Sequence, residues 1–171
     1  MLGQFRQVRG EYPRQFWWLV WGSLLSSTGA ALIWPFMSIY LRERLEIPLA
    51  TVAGLMTLSS VMGLLASLVV GPLVDRVGRK GAMVFSLAMS AIYYLLMTQT
   101  RTLPVYAALI GVSGAFSPLY SVGANAMIAD LIPQQRRTDA YALLRMVHNV
   151  GVAVGPILGG VLASVSYTLA F

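Results

Sequence analysis

The amino-acid sequence predicts an all-α fold, a polytopic bundle of helices that cross a lipid bilayer. Of the 171 residues, 57% are hydrophobic and only 11% are charged, whereas about 25% of the residues of an average soluble domain are charged. The mean hydropathy is +0.72. Five stretches of the chain approach or exceed the roughly 20 apolar residues that a helix needs to span the hydrocarbon core.

Short connections separate these five stretches, so successive helices must run antiparallel. The first stretch is too long and too aromatic for a cleaved signal peptide. A sixth apolar segment begins at 166–171, and we therefore expect the chain to be part of a longer protein. The predicted spans are about 16–41, 51–73, 81–99, 103–131 and 141–165.

The composition excludes several classes of function. The net charge is +6, but the few charges lie at the ends of the apolar segments. This placement indicates membrane topology and argues against a nucleic-acid partner. The chain has no cysteine, which excludes disulfides, thiol catalysis and cysteine-based metal sites. We expect neither a metal nor a cofactor.

The basic residues are divided unequally between the two sides of the predicted bundle. One side holds nine of them: Arg6, Arg9, Arg14, Arg76, Arg79, Lys80, Arg136, Arg137 and Arg145. The other side holds Arg42, Arg44 and Arg101. The positive-inside rule then predicts that the N-terminal tail, residues 1–15, is cytoplasmic. We expect a multi-pass protein of the cell membrane, which is the plasma membrane or, in a bacterium, the inner membrane.

The connection between the second and third spans, 71–80, reads GPLVDRVGRK. Gly71 would let another helix approach closely, and Gly78 would permit a tight turn. Asp75 is a carboxylate at a membrane boundary, where it needs a partner such as an arginine or a helix N-terminus. Three basic residues would hold the loop at the inner membrane surface: Arg76, Arg79 and Lys80.

This loop resembles the signature loop of the major facilitator superfamily, G-x-L-x-D-R-x-G-R-[KR]. The resemblance covers essentially the whole chain and implies the N-terminal half of a transporter, with helices one to three and four to six as inverted repeats. It also implies that the loop couples the two halves of the transporter during alternating access, and that Asp75 contacts the second half. The matching residues are Gly71, Leu73, Asp75, Arg76, Gly78, Arg79 and Lys80.

A second glycine pattern lies in the fifth span. Gly151, Gly155 and Gly159 recur every four residues and form a smooth stripe along which a neighbouring helix can pack. Pro156 removes one backbone hydrogen bond and should bend the helix. With Gly160, these residues resemble the G-x-x-x-G-P-x-x-G-G motif of the drug/proton antiporter-like branch. The pattern and the resemblance both assign them to helix packing and not to binding.

Polar residues within the spans are the candidates for a substrate cavity. Tyr120 lies on a polar arc of the fourth span, and Arg145 and Asn149 share a face of the fifth. Trp34 in the first span offers an aromatic contact. We also expect a charge pair between Asp130, at the cytoplasmic end of the fourth span, and Arg145, but a cavity role for Arg145 remains open.

Two further features bear on the chemistry. Many proton-coupled members of the superfamily have an arginine in the fourth helix, and here Ile110 stands at that position, which weakens a claim of proton coupling there. The segment 111–114 and His148 resemble motifs of rhomboid intramembrane proteases. The helical rise puts Ser113 and His148 more than about 10 Å apart in depth, too far for a catalytic dyad. The sequence therefore predicts a non-enzyme.

The predicted function is secondary active transport by alternating access, with efflux of small, apolar molecules. The bundle is predicted to occupy 16–171 and to be cut near the start of helix six. The expected partners are the lipid bilayer, a small-molecule substrate, and the C-terminal half of the transporter or a second copy. The alternatives are a non-transporting or half-size membrane protein that acts through dimerisation and, more remotely, a rhomboid-like protease.

Overall fold

The computed structural model describes residues 12–165, with side chains as far as 162. Five of its helices are long and apolar enough to cross a membrane, and the described residues contain no β-strand. Most of the predicted tail and the start of the sixth segment lie outside this range. The helices are α1 (Arg14–Leu45), α2 (Leu49–Val77), α3 (Arg79–Gln99), α4 (Leu103–Leu131) and α5 (Arg137–Val165), with a 3-10 helix at Gln134–Arg136.

The predicted all-α bundle is confirmed, and α4 has the predicted boundaries. The other four helices are longer than predicted at one end or both. The extra turns include charged residues such as Arg44 and Arg76. A charged residue ends an apolar run, but the helix can continue into the polar headgroup region of the bilayer. Hydropathy therefore locates the membrane core better than it locates the helix ends.

The connections between helices are short because local backbone geometry ends each helix sharply. Glu46 adopts a left-handed conformation with φ 51°, and Pro48 precedes α2. Gly78 alone separates α2 from α3, with φ +88°. Pro133 precedes the 3-10 helix that leads into α5. These turns return the chain after each helix and give the predicted antiparallel order.

The largest helix contacts join elements that are distant in sequence. α1 packs along α5, and α2 packs along α4. Each interface includes a serine opposite a glycine: a Cβ atom on Gly151 would collide with Ser27, and one on Gly114 would collide with Ser59. Exchanging α1 with α4 and α2 with α5 converts one pair of helices into the other, with the serine and the glycine on opposite members of the pair. This correspondence is the one that inverted repeats produce.

Two apolar clusters form the ends of the bundle. One contains Phe16 of α1, Ile128 of α4 and Ala140 of α5, all of them fully buried. The other contains Leu41 of α1 and Tyr106 of α4, whose hydroxyl donates to the carbonyl oxygens of Met97 and Thr100 at 2.9 and 3.0 Å. The described basic residues divide between these ends as the sequence predicts, because successive helices alternate in direction.

The outer surface of the bundle is apolar. On α2, only 11% of the most apolar window is buried, and Leu64 and Leu68 are 68% and 74% exposed. A soluble protein rarely exposes a continuous apolar surface of this extent. In a bilayer the same side chains contact lipid or another membrane helix and are not exposed to water. The fold is therefore that of an integral multi-pass membrane protein.

Candidate functional sites at one end of the bundle

The turn between α2 and α3 depends on Gly78. Its backbone has φ +88°, a conformation that residues with a Cβ atom rarely adopt, and its N–H donates to the Val74 carbonyl oxygen at 3.0 Å. One glycine thus ends α2 and begins α3. The predicted tight turn at Gly78 is confirmed.

Arg79, the first residue of α3, lies between two carboxylates. One guanidinium nitrogen is 3.2 Å from Asp75 in the last two turns of α2. Its Nε is 2.9 Å from Asp130 at the end of α4, although the N–H is not aligned for a hydrogen bond. One cation thus joins three helices at a single end of the bundle. We refer to Asp75, Arg79 and Asp130 as the charge bridge.

The predicted pairing of Asp130 with Arg145 is wrong. Asp130 contacts Arg79 instead, and Arg145 makes no ion pair with any described residue. The reason is that the two residues lie at different depths in the bundle. Asp130 is in the last turn of α4, at the level of the first residue of α3, whereas Arg145 lies eight residues inside α5, about 12 Å from its start.

The remaining residues of the loop differ in their surroundings. Arg76 and Lys80 are exposed, and Lys80 borders a cavity described below. A Cβ atom on Gly71 would meet no described atom within 4 Å. The expected close approach of another helix at Gly71 therefore does not occur within the described residues.

The glycine stripe of α5 packs directly on α1. A Cβ atom on Gly155 would lie 2.7 Å from the Thr28 carbonyl oxygen, and one on Gly159 would lie 2.8 Å from the Phe36 ring. Separations under 3.0 Å are essentially never seen for real Cβ atoms, so any larger residue would force the helices apart. At Gly160, by contrast, the nearest atom is at an ordinary 3.9 Å. The helix-packing role is thus built from the three glycines of the stripe and not from Gly160.

Arg137 has a structural role that the sequence did not reveal. Its Nε donates to the Ile132 carbonyl oxygen at 3.0 Å, and a second nitrogen donates to the Ala129 carbonyl oxygen at 2.6 Å. These carbonyls belong to the C-terminal end of α4, where backbone acceptors have no partner in the helix and a cation is favoured. The signal was a basic residue a few positions after the end of a predicted helix.

Two cavities open at this end of the bundle. The first, of about 690 Å³, lies between α1, α3 and α4 and is lined mainly by apolar side chains, with Arg79, Lys80 and Asp130 at its border. The second, of about 820 Å³, lies between α1, α4 and α5. We call the second one the polar cavity. Its polar lining residues include Ser23, Tyr120, Asn125, Tyr141, Arg145 and His148.

The structure brings together only part of the predicted substrate site. Tyr120 and Arg145 line the polar cavity, and Tyr120 also borders the first cavity. Asn149 lines neither cavity and is exposed. Trp34 is 72% exposed and lies 11 residues beyond Ser23, about 17 Å farther along α1. Of the four predicted cavity residues, Tyr120 and Arg145 thus line a cavity at this end of the bundle, whereas Trp34 and Asn149 line neither of the two.

The protease-like residues are also separated. Ser113 lines a small cavity beside α3, whereas His148 lines the polar cavity beside α5. No group of three potential metal-binding side chains exists among residues 12–162.

Comparison with known proteins assigns the family. The sequence profile of the Major Facilitator Superfamily matches residues 19–171, which is most of the chain. The chain belongs to the major facilitator superfamily. The prediction of a membrane transporter fold, and not an enzyme, is thereby confirmed at the level of the family. The match includes the loop that carries the charge bridge and the glycine stripe of α5.

Individual members of the superfamily show the same relationship. The class H tetracycline resistance protein of Pasteurella multocida is 35% identical over 157 residues, 87% of this chain and 38% of that protein. A Na(+), Li(+), K(+)/H(+) antiporter of Planococcus maritimus is 31% identical over 149 residues, 82% of this chain and 34% of the antiporter. An MFS-type transporter of Bacillus subtilis is 26% identical over 159 residues. The chain spans 40% or less of the length of these superfamily members.

Proposed function

We propose that this chain forms the N-terminal helical half of a secondary active transporter that exports a small, largely apolar molecule by alternating access. The names of two relatives, a tetracycline resistance protein and a cation/proton antiporter, support export. The apolar lining of the first cavity and the scarcity of charges within the spans support a largely apolar substrate.

The observation that carries this proposal is the charge bridge. Only Gly78 separates α2 from α3, and Arg79 holds α3 against Asp130 of α4. A movement of the loop is therefore transmitted to α4, which borders both cavities. The Asp75 and Asp130 side chains are 67% and 55% exposed, so each ion pair is weak and can break and reform during a cycle.

We assign the conformational gate to the loop residues of the motif. Asp75 is exposed enough to contact a second half while it remains within reach of Arg79. Arg76 and Lys80 are exposed beside it and would interact with the second half or with lipid headgroups. The partner is then the C-terminal half of the same transporter or a second copy of the chain. The gate would face the cytoplasm of a cell whose plasma membrane holds the protein.

Transport in inside-out membrane vesicles tests this proposal. Vesicles that contain the full-length protein are energised, and accumulation of a fluorescent apolar dye is compared with accumulation in vesicles that lack the protein. The proposal predicts accumulation that requires energy and the protein. Equal accumulation in both preparations, across a panel of dyes and tetracyclines, would favour a non-transporting membrane protein.

A further inference from the structure

The polar cavity has an unusual balance of charge for a space within a membrane bundle. Arg145 and His148 lie one turn apart on α5 and both line it. None of its described lining residues is acidic. Arg145 makes neither an ion pair nor a hydrogen bond with any described residue. Among the described residues, the cavity therefore presents the positive charge of Arg145 without a counter-charge.

The acidic residues nearest to the cavity are engaged elsewhere or lie outside it. Asp75 and Asp130 are held by Arg79, and Asp130 borders the first cavity and not the polar one. Asp139, in the first turn of α5, is exposed and does not line the polar cavity. The charge of Arg145 is thus not neutralised by the described part of this half of the molecule.

The cavity is deep enough to hold a small molecule below the membrane surface. It extends from Thr138, in the first turn of α5, to Tyr120 of α4, about 17 Å from the end of that helix. Hydrogen-bonding groups line its wall, including the hydroxyl of Ser23. The Tyr120 hydroxyl is enclosed beside Ser23 without a well-formed hydrogen bond. Arg145 is exposed about 12 Å from the start of α5, within the predicted span, where an ionised residue is a candidate for a functional role.

We propose that the polar cavity binds the anionic group of a small molecule through Arg145, and that the transported substrate is an amphiphilic anion, such as an aromatic carboxylate or sulfonate. This inference rests on the proposed transport function and specifies its substrate class. The planar guanidinium offers two parallel donors that match a carboxylate or sulfonate. His148 supplies a further donor one turn deeper. The apolar body of the substrate extends towards Tyr120 and the alkyl side chains of α4.

A binding experiment with matched probes tests the role of Arg145. The full-length protein in nanodiscs is titrated with 4-phenylbutyrate and with 4-phenylbutanol, which differ in charge but have the same apolar body. The wild type should bind the carboxylate roughly tenfold more tightly than the alcohol. This ratio is what one hydrogen bond to a charged group contributes to the binding free energy. Arg145→Gln should abolish this preference, and Arg145→Lys should retain part of it. Arg136→Gln is the control, because Arg136 is a cation at the same end of the bundle but outside the cavity.

The outcomes separate this inference from the proposed function. Three results would overturn the anionic-substrate proposal, even if vesicles transport a neutral dye. They are no binding of the carboxylate, equal binding of the two probes, and a preference for the carboxylate that survives Arg145→Gln. If Arg145 instead pairs with an acid elsewhere in the protein, Arg145→Gln will weaken both probes equally and lower the melting temperature, which also overturns it. Arg145-dependent binding without any transport would support the anion site and reject the transporter.

Discussion

The Arg79 guanidinium lies 2.9 Å from the Asp130 carboxylate, across the interface between α3 and α4, while it also contacts Asp75 of α2 at 3.2 Å. This arrangement links the signature loop to a helix that borders both cavities. Both contacts are made among the described residues, without any other part of the protein. A second half would add to these contacts at Asp75, the more exposed of the two acids.

The partner choice of Asp130 is tested by double-mutant cycles. Arg79→Gln and Asp130→Asn should be coupled by about 0.5–1 kcal/mol, the range expected for a partly exposed ion pair within a small network. The same Asp130→Asn change combined with Arg145→Gln should be additive. The measurement is the free energy of unfolding of the purified protein in detergent. Additivity in the first cycle and coupling in the second would restore the pair that the sequence suggested.

The glycine stripe predicts a position-specific cost of adding one methyl group. Gly155→Ala should destabilise the protein by about 1–3 kcal/mol, because the new Cβ atom would overlap the backbone of α1. Gly160→Ala is the matched control, because the nearest atom to its Cβ is 3.9 Å away. Thermal unfolding in detergent measures both variants. Equal melting temperatures for Gly155→Ala and Gly160→Ala would contradict the packing of α5 on α1.

Gly78 and Gly71 offer a second contrast within the signature loop. Gly78→Ala should destabilise the α2–α3 turn by about 1–3 kcal/mol, because its φ of +88° strains any residue with a Cβ atom. Gly71→Ala should leave the melting temperature of the wild type unchanged or raised, because a Cβ atom there meets no described neighbour and alanine favours a helix. A large loss of stability in Gly71→Ala would show that an undescribed segment packs there.

The sequence predicts helices better than it predicts side-chain partners. Hydropathy placed α4 correctly, and the four-residue spacing of Gly151, Gly155 and Gly159 indicated a packing face, because both signals are local and periodic. The pairing of Asp130 depends on the depth and rotation of three helices. A helical wheel drawn for a single helix does not show the depth or the rotation of the neighbouring helices.

The predicted cavity residues illustrate the same limit. Tyr120 and Arg145 line the polar cavity because both face the space between α4 and α5 near one end of the bundle. Trp34 is towards the opposite end of α1, and Asn149 lies one position beyond the last lining residue of α5. Residue type suggested all four, but only two of them lie where their helices border this cavity. The packing of helices against one another determines this outcome.

The orientation predicted from basic residues can be measured with single introduced cysteines, since these 171 residues contain none. A single cysteine at Gln135 lies in the connection before α5, and one at Thr102 lies in the connection before α4, at the opposite end of the bundle. In intact cells, an impermeant maleimide should label Thr102→Cys and not Gln135→Cys. The reverse pattern would invert the topology and place the charge bridge outside the cell.

The most direct test of the gating role is the transport rate of Asp75→Asn in the full-length protein. We expect flux in inside-out vesicles to fall about tenfold, the scale of a typical coupling free energy between sites, while the amount of inserted protein stays the same. Asp139→Asn is the control, because it removes an exposed acid of α5 that has no part in the charge bridge, and it should transport normally. Undiminished flux in Asp75→Asn at equal protein levels would contradict the gate at the charge bridge.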